Sequence, residues 1–221
     1  MIRVGVIVFP GSNCDRDLVS SFKQFGFKVT YIWHKDNELP DGLDIIGIPG
    51  GFSFGDYLRC GAIAANSPIT SAIVDFANSG GYIIGICNGF QILCETGLLP
   101  GALIGNTGMK FICRNVGISV ESCNSAFTRN YDLDQELILP IAHHDGNYIA
   151  SLETINELEE NSRIVFKYTK NPNGSMNNIA GILSENRRVL GMMPHPERAF
   201  SEYHRSIDGS TIFRSLLNSL T

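Results

Sequence analysis

The stretch Gly85-Ile86-Cys87-Asn88-Gly89-Phe90-Gln91 decides the fold. It follows an apolar run, Tyr82–Ile86, which predicts a buried strand, and it leads into a predicted helix at Phe90–Glu95. A glycine lies two residues before and two residues after the cysteine, and small residues there let a chain turn sharply from strand to helix. The pattern predicts a nucleophile elbow with cysteine in the position that serine holds in many hydrolases.

An elbow gives its cysteine a specific chemistry. The turn lifts the sulfur of Cys87 above the carboxyl edge of the sheet, where the helix N-terminus favours the thiolate form. It also presents the backbone N–H of Asn88 to a developing oxyanion. The competing interpretation is a buried structural cysteine between two chance glycines. Because the chain holds 23 glycines in 221 residues, the motif needs support from elsewhere in the sequence.

That support comes from a histidine near the end of the chain. His195 follows an apolar strand and lies between Pro194 and Pro196, which stiffen the backbone on both sides. Glu197 is two residues further on, and in an extended loop this spacing brings a carboxylate to an imidazole. Cys87, His195 and Glu197 therefore predict a nucleophile, a general acid and base, and a carboxylate that orients the base.

A glycine-rich loop, Pro49–Asp56, ends another apolar run at Leu43–Ile48. Since the carboxyl ends of parallel strands share one edge of a sheet, the loop is expected beside the elbow. Adjacent glycines let backbone N–H groups turn towards an anion, so Gly51 is the predicted second donor of an oxyanion hole. The loop lacks the Gly-Lys-Ser/Thr ending of a Walker loop, and no ATP site is predicted in this chain.

Strand-like and helix-like runs alternate through the first hundred residues, which predicts a doubly wound α/β fold: an open, mostly parallel sheet with helices on both faces. Ser12 or Asn13 is predicted to cap the first helix. Five further runs predict antiparallel additions to the same single domain, residues 1–221. These runs are Phe111–Val120, Glu136–Ile141, Ser162–Thr169, Ile179–Leu183 and Val189–Met193.

Composition and charge exclude several classes of protein. A hydrophobic share of 43% against 18% charged residues excludes a disordered chain. The formal charge of −5 and the absence of a basic stripe argue against a nucleic-acid partner. No apolar run approaches the roughly 20 residues of a membrane span, and no signal peptide precedes the first strand. Six cysteines without a Cys-x-x-Cys pair predict a reduced, cytoplasmic protein with no metal site.

The elbow, the Pro-Gly-Gly loop and the His-Pro-Glu segment together resemble the class I (triad) glutamine amidotransferases, whose sheet is flavodoxin-like. Within that class the chain is most similar to the family of glutaminase subunits of phosphoribosylformylglycinamidine synthase. The similar segments are Val8–Asp17, Pro49–Arg59, Gly85–Leu103, Phe111–Cys113 and Gly191–Ala199.

The resemblance implies that Cys87 attacks the side-chain amide of glutamine and that Gly50, Gly51 and Gln91 lie near the bound substrate. The ammonia would pass to a separate ATP-dependent synthetase subunit, which makes formylglycinamidine ribonucleotide in purine synthesis. A small accessory subunit is a further expected partner. No cofactor is expected in this chain, and ATP and magnesium are expected in the synthetase subunit.

One segment departs from the family pattern. Residues 142–148 read Ala-His-His-Asp-Gly-Asn-Tyr, where the family usually has His-Gly-Glu-Gly, so no functional contact is carried over to His144 or Asp145. Two other functions remain open at this point. A free-standing amide hydrolase would be fully active alone, and a thiol-based sensor or chaperone would show reversible oxidation of Cys87 without turnover of an amide.

Overall fold

The computed structural model describes the whole chain, residues 1–221. The main sheet has nine strands in the order β2-β1-β3-β4-β11-β10-β9-β6-β7, and β5 pairs with β8 in a separate ribbon. In chain order the elements are β1 Arg3–Val8, α1 Asp15–Gln24, β2 Lys28–Trp33, β3 Ile45–Ile48, α2 Ile69–Asn78, β4 Tyr82–Ile86, α3 Asn88–Glu95, β5 Ala102–Ile104, β6 Ile112–Val120, β7 Glu136–His143, β8 Asn147–Ile149, α4 Leu152–Glu160, β9 Ile164–Tyr168, β10 Ile179–Leu183, β11 Val189–Met192 and α5 Ser210–Leu220.

Five strands form the parallel half of the sheet. β1 pairs with β2 and β3, β4 pairs with β3 and β11, and all four pairings are parallel. Every residue of β3 and β11 is buried, as expected of strands that are covered on both faces. The predicted α/β fold with a doubly wound parallel sheet is confirmed.

Helices cover both faces of this half, which the register of the strands shows directly. A Cβ at Gly47 would meet the side chain of Leu18 in α1, and a Cβ at Gly85 would meet that of Leu93 in α3. Gly47 is paired with Ile84, the residue next to Gly85. Because successive residues of a strand face opposite sides of a sheet, α1 and α3 lie on opposite faces.

The second half of the chain adds β10, β9, β6 and β7 as an antiparallel extension. The prediction for Val189–Met193 was wrong in direction, because β11 runs parallel to β4 and closes the parallel half. The ribbon strands β5 and β8 and the helix α4 were not predicted. β5 and β8 have only three residues each, which is too short to show a periodic pattern.

The predicted cap of the first helix was also wrong by one or two residues. Cys14, rather than Ser12 or Asn13, is the residue before α1, and it makes no capping hydrogen bond with its side chain. The backbone instead turns tightly through residues 11–14, with the Ser12 amide donating to Phe9 and the Asn13 amide to Gly11. No helix has the length and apolar character needed to cross a membrane.

The close approach of α3 to β3 gives a prediction about stability. A Cβ on Gly89 would collide with the backbone carbonyl of Ile48, which cannot swing away as a side chain can. Gly89→Ala should therefore lower the free energy of unfolding by about 2 kcal/mol, roughly 4–8 °C in Tm for a chain of this size. Gly108→Ala is the matched control, since no atom lies within 4 Å of its Cβ position. Equal Tm values for the two variants would show that the helix can shift to accept the methyl group.

Candidate active site

Four loops meet at one edge of the parallel half of the sheet. β1, β3, β4 and β11 are neighbours and run in the same direction, so the segments that follow them all leave from the carboxyl edge. These segments hold Cys14 after β1, Gly50 and Gly51 after β3, Cys87 after β4, and His195 after β11. The sheet topology therefore brings together residues that are far apart in the sequence. Arg198 and Asp17, for example, form a hydrogen bond across 181 positions of the chain.

Cys87 has the backbone conformation of a nucleophile elbow. Its φ of 52° and ψ of −105° lie in a region that non-glycine residues rarely adopt. The strained turn is held by the amide of Cys87, which donates to the Met192 carbonyl at 2.8 Å. A Cβ at Gly85 would lie only 2.7 Å from the Gly89 carbonyl, so both predicted small residues are required by the packing.

His195 and Glu197 form a buried pair beside this cysteine. The Nδ1 atom of His195 is 2.6 Å from Oε1 of Glu197, and each residue is only 1% exposed. Since Nδ1 is engaged by the carboxylate, Nε2 is the ring nitrogen left for proton transfer, and it has no hydrogen-bond partner within the protein. A Cβ at Gly50 would lie 2.8 Å from Cε1 of His195 and 3.3 Å from Cβ of Cys87, so the two side chains meet over this glycine.

Opposing effects act on the His195 imidazole. Burial lowers the pKa of His195, but the negative charges of Glu197 and of the Cys87 thiolate act against burial and outweigh it. The net result is a pKa raised well above that of an ordinary histidine. The arrangement thus favours an imidazolium beside the Glu197 carboxylate, and an imidazolium next to a cysteine is the acid catalyst that a cysteine nucleophile needs.

The two backbone N–H groups predicted to form an oxyanion hole, those of Asn88 and Gly51, have no acceptor within the protein. Asn88 is the first residue of α3, so its N–H has no acceptor in the helix. The N–H of Gly51 donates no hydrogen bond to the protein either. Gly51 has a φ of 126°, and a Cβ there would lie 2.6 Å from the amide nitrogen of Asn13, so only glycine fits.

Gln91 lies one helical turn after Cys87 and joins three parts of the site. Its Nε2 donates to the backbone carbonyl of Asp145 at 2.6 Å, and its Oε1 accepts from Asn88 Nδ2 at 2.9 Å. The same amide of Asn88 contacts Asp56 at 3.3 Å, and its Oδ1 accepts from the amide of Ser53. Gln91 is therefore a bridge between the glycine-rich loop, the elbow and the segment after β7.

The C-terminal half of β7 and the residues that follow it cover the site from the antiparallel half of the sheet. The Ala142 carbonyl is 3.8 Å from the sulfur of Cys87, and the Pro140 carbonyl accepts from the His195 amide at 2.8 Å. β7 is the edge strand, four positions from β11 in the sheet, so the antiparallel half must curve back to make these contacts. Sequence reasoning did not find this role for residues 140–145, because it depends on the curvature of the sheet.

His143 in this segment is held in one tautomer. Asn106 donates through Nδ2 to the carbonyls of Lys110 and His143, which turns its Oδ1 towards Nδ1 of His143 at 3.1 Å. Nδ1 must therefore carry the proton and donate it. Burial, followed by the charge of His195, lowers the pKa of His143 to about 4, so this second histidine is neutral.

Cys14 is a further residue of the site that sequence reasoning did not single out, in addition to residues 140–145. Its sulfur, a nitrogen of His195 and a carboxylate oxygen of Glu197 all lie within 4.8 Å of one another. These are metal-type ligands, but His195 and Glu197 are bonded to each other, and Arg198 Nη2 lies 3.1 Å from the sulfur. The side chains that could bind a metal ion therefore already contact one another or the guanidinium of Arg198. The signal in the sequence was the position of Cys14 in the connection between the first strand and the first helix, at the carboxyl edge of the sheet.

The family model for the CobB/CobQ-like glutamine amidotransferase domain matches residues 1–214. The chain belongs to the glutamine amidotransferase family. It is 60% identical over 220 residues to the phosphoribosylformylglycinamidine synthase subunit PurQ of Ruegeria pomeroyi, a match covering 100% of this chain and 99% of the relative. Identity to the PurQ subunit of Zymomonas mobilis is 51%, over 98% of each chain.

Among solved structures, this amidotransferase chain is similar to a chain of PurLQS from Thermotoga maritima. The two share a TM-score of 0.93 and 43% identity, and the match covers 100% of this chain and 99% of that chain. The predicted family and fold are confirmed by these similarities, whereas the role of each site residue stays a prediction that rests on the geometry.

The charge balance at His195 gives a prediction that needs no substrate. Glu197→Gln removes one of the two negative charges that raise the pKa of His195, while burial continues to lower it. The pKa of His195 should therefore fall, and Cys87→Ser should lower it through loss of the thiolate. Nitrogen-detected NMR of the imidazole over a pH series measures both shifts. His34, whose pKa is lowered by burial and by Lys35 and not by the charge of His195, serves as the internal reference. An unchanged His195 titration in Glu197→Gln would contradict the assignment of the pair.

Proposed function

We propose that this chain hydrolyses glutamine to glutamate and ammonia, as the glutaminase subunit of a phosphoribosylformylglycinamidine synthase. The ammonia serves an ATP-dependent synthetase subunit that makes formylglycinamidine ribonucleotide in purine biosynthesis. The observation that carries the proposal is the meeting of Cys87, His195 and Glu197 on a strained elbow at the carboxyl edge of the sheet. The full-length similarity to PurQ subunits supports the choice of pathway.

The first half of the reaction forms a thioester. The Cys87 thiolate attacks the side-chain carbonyl carbon of glutamine, and the carbonyl oxygen becomes an oxyanion that the backbone N–H groups of Asn88 and Gly51 stabilise. As the carbon–nitrogen bond breaks, His195 transfers its Nε2 proton to the leaving nitrogen. Neutral ammonia departs, and neutral His195 and a γ-glutamyl thioester on Cys87 remain.

The second half of the reaction returns the enzyme to its starting state. Neutral His195 takes a proton from water through Nε2, and the resulting hydroxide attacks the thioester carbonyl. The carbon–sulfur bond breaks, which forms the thiolate and imidazolium again, and the new carboxylic acid leaves as glutamate after losing its proton to solvent. Glu197 holds Nδ1 throughout, so the same tautomer and ring orientation serve both halves.

The site is closed to solvent in this structure. Cys87 is 4% exposed, while His195 and Glu197 are each 1% exposed, so glutamine reaches the sulfur only after a loop moves. The Gly50–Gly51 segment is the favoured moving part, because glycines allow a peptide to flip at little steric cost. Such a flip breaks only one contact of its carbonyl, the 3.4 Å hydrogen bond from the Cys14 amide to Gly50.

A closed glutaminase site favours activation by its partner. Docking of the synthetase subunit can open the loop for glutamine and then complete the oxyanion hole, which couples glutamine hydrolysis to demand for ammonia. We assign ATP and magnesium to the synthetase subunit, a small accessory subunit to the same assembly, and the assembly to the cytoplasm. The chain itself is proposed to need no cofactor.

The identity of the nucleophile can be tested by covalent labelling. Cys87→Ser should keep the fold and abolish glutamate release, because a neutral serine hydroxyl is a far weaker nucleophile than a thiolate. A glutamine-like diazoketone should label Cys87 in the unmodified chain, read by peptide mass spectrometry. Cys60 and Cys94 are the internal controls, since burial raises the pKa of both thiols. Labelling at either of them instead would refute the assignment.

Dependence on a partner can be tested by steady-state kinetics. The isolated chain should release glutamate at least ~10-fold more slowly than the complex with synthetase subunit, nucleotide substrate and ATP, a difference of about 1.4 kcal/mol in barrier. Glutamate is measured with and without the partner at the same concentration of this chain. Equal rates would favour a free-standing amide hydrolase, and oxidation of Cys87 without glutamate release would favour a thiol sensor.

A further inference from the structure

The side chain of Asn88 joins the elbow to the glycine-rich loop, although the proposed reaction uses only the backbone N–H of this residue. Asn88 is fully buried. Its Oδ1 accepts a hydrogen bond from the Ser53 amide at 3.3 Å. Its Nδ2 donates to Oδ1 of Asp56 at 3.3 Å and to Oε1 of Gln91 at 2.9 Å. The oxygen and both hydrogens of the side-chain amide are therefore engaged.

The partners of Asn88 fix the orientation of its amide group. A backbone N–H can only donate, so the Ser53 amide requires the oxygen of Asn88 on its side. The carboxylate of Asp56 accepts, so it requires the nitrogen. Gln91 requires the same arrangement, because its own Nε2 donates to the Asp145 carbonyl at 2.6 Å and thereby turns its Oε1 towards Asn88. An apolar side chain at position 88 could make none of these contacts.

The glycine-rich loop has a strained backbone where Asn88 contacts it. Phe54 and Asp56 have φ values of 53° and 54°, and Gly55 between them has a φ of 74°. Residues other than glycine are disfavoured in this region and stay there only where their surroundings hold them. The hydrogen bonds of Asn88 to Ser53 and Asp56 lie at the two ends of this strained turn, so they hold it from both ends.

The opposite side of the loop is anchored by the backbone. The amides of Phe52 and Phe54 donate to carbonyls in the connection after β1, at 2.9 and 2.7 Å. The Ser53 amide between them donates to Asn88 instead. The loop is thus held from two sides, and Gly51 lies only two residues before the contact with Asn88.

We propose that the Asn88 side chain is a positioning group of the oxyanion hole, which holds the glycine-rich loop against the elbow. The inference rests on the proposed glutaminase function. The two N–H donors belong to different segments, since Gly51 follows β3 and Asn88 follows β4. A link between the segments keeps both donors aimed at one oxygen atom. The side chain of Asn88 contacts neither glutamine nor the reacting atoms in this scheme, and it acts through the position of Gly51.

Hydrogen exchange tests this link without a substrate. The hydrogen bond of the Ser53 amide is to the Asn88 side chain, so Asn88→Ala should speed exchange of this amide at least ~10-fold in NMR spectra of the full chain. The amides of Phe52 and Phe54 keep their backbone acceptors, and their exchange should change far less.

Kinetics of the complex with the synthetase subunit test the catalytic role. Asn88→Ala should lower kcat for glutamate release ~100-fold with little change in KM, because a misplaced donor weakens the transition state alone. Alkylation of Cys87 by iodoacetamide replaces iodide by sulfur and forms no oxyanion. Its rate, read at Cys87 by peptide mass spectrometry, should stay the same or rise, whereas damage to the nucleophile would lower both rates.

A second pair of variants tests the same link from the side of the loop. Asp56→Asn keeps an oxygen that accepts from Asn88, so it should retain most of the activity. Asp56→Ala removes this acceptor and should lower kcat ~10-fold. Asn218→Ala is the matched control, because Asn218 is an exposed asparagine on α5. It should leave exchange at Ser53 and glutamate release unchanged.

Three results would overturn the proposal. The first is exchange at Ser53 in Asn88→Ala that equals exchange in the unmodified chain, and the second is a parallel fall in Cys87 alkylation and glutamate release. The third is an equal kcat for Asp56→Ala and Asp56→Asn, a comparison that decides alone if the Tm shows that Asn88→Ala does not fold. If the unmodified complex releases no glutamate, the proposed function fails and exchange at Ser53 decides whether Asn88 holds the loop.

Discussion

The strained backbone of Cys87 is the constraint on which the rest of the structure depends. A residue with φ of 52° and ψ of −105° costs of order 1–3 kcal/mol and persists only where its surroundings over-determine it. Here the surroundings are the parallel sheet on one side and the packing of α3 on the other. β4 delivers the cysteine at the carboxyl edge, the Met192 carbonyl fixes its amide, and Gly89 lets the helix approach β3 closely. The strain is thus supported by elements that are themselves deeply buried.

The charges of the side chains are the second constraint on the site, after the strained backbone that positions them. Cys87, the His195 imidazolium and the Glu197 carboxylate lie together in a region almost free of solvent contact, where a single unpaired charge is costly. The attraction between the positive charge of His195 and the negative charges beside it offsets the cost of burial. This attraction raises the pKa of His195 although the residue is buried. Removing one member of such a group leaves its neighbour buried and unpaired, so the three side chains act as a unit rather than additively.

Local sequence predicted β1, β3 and β4 of the parallel half and singled out Cys87, His195 and Glu197, which the structure brings together, because each depends on a short pattern. Apolar runs mark β1, β3 and β4, and the elbow and the His-Pro-Glu segment each span a few residues. The features that local sequence did not predict depend on contacts between residues that are far apart in the chain. The direction of β11 is set by its pairing with β4, and the ribbon strands β5 and β8 are too short for periodicity. Cys14 looked like any small buried cysteine, since its neighbours His195 and Glu197 lie about 180 residues further along the chain.

The burial of the triad also has a chemical reason that concerns the product. Ammonia released into water near neutral pH is mostly protonated, and ammonium has no lone pair with which to attack an electrophile. A site that excludes water keeps the leaving nitrogen neutral, and the neighbouring His143 has a pKa too low to serve as a proton source for it. Under the proposed function, the same closure would prevent hydrolysis of glutamine when no acceptor is present. In the proposed function, burial of Cys87 links the fold to the coupling between two active sites, since the movement that admits glutamine is also one that a partner can control.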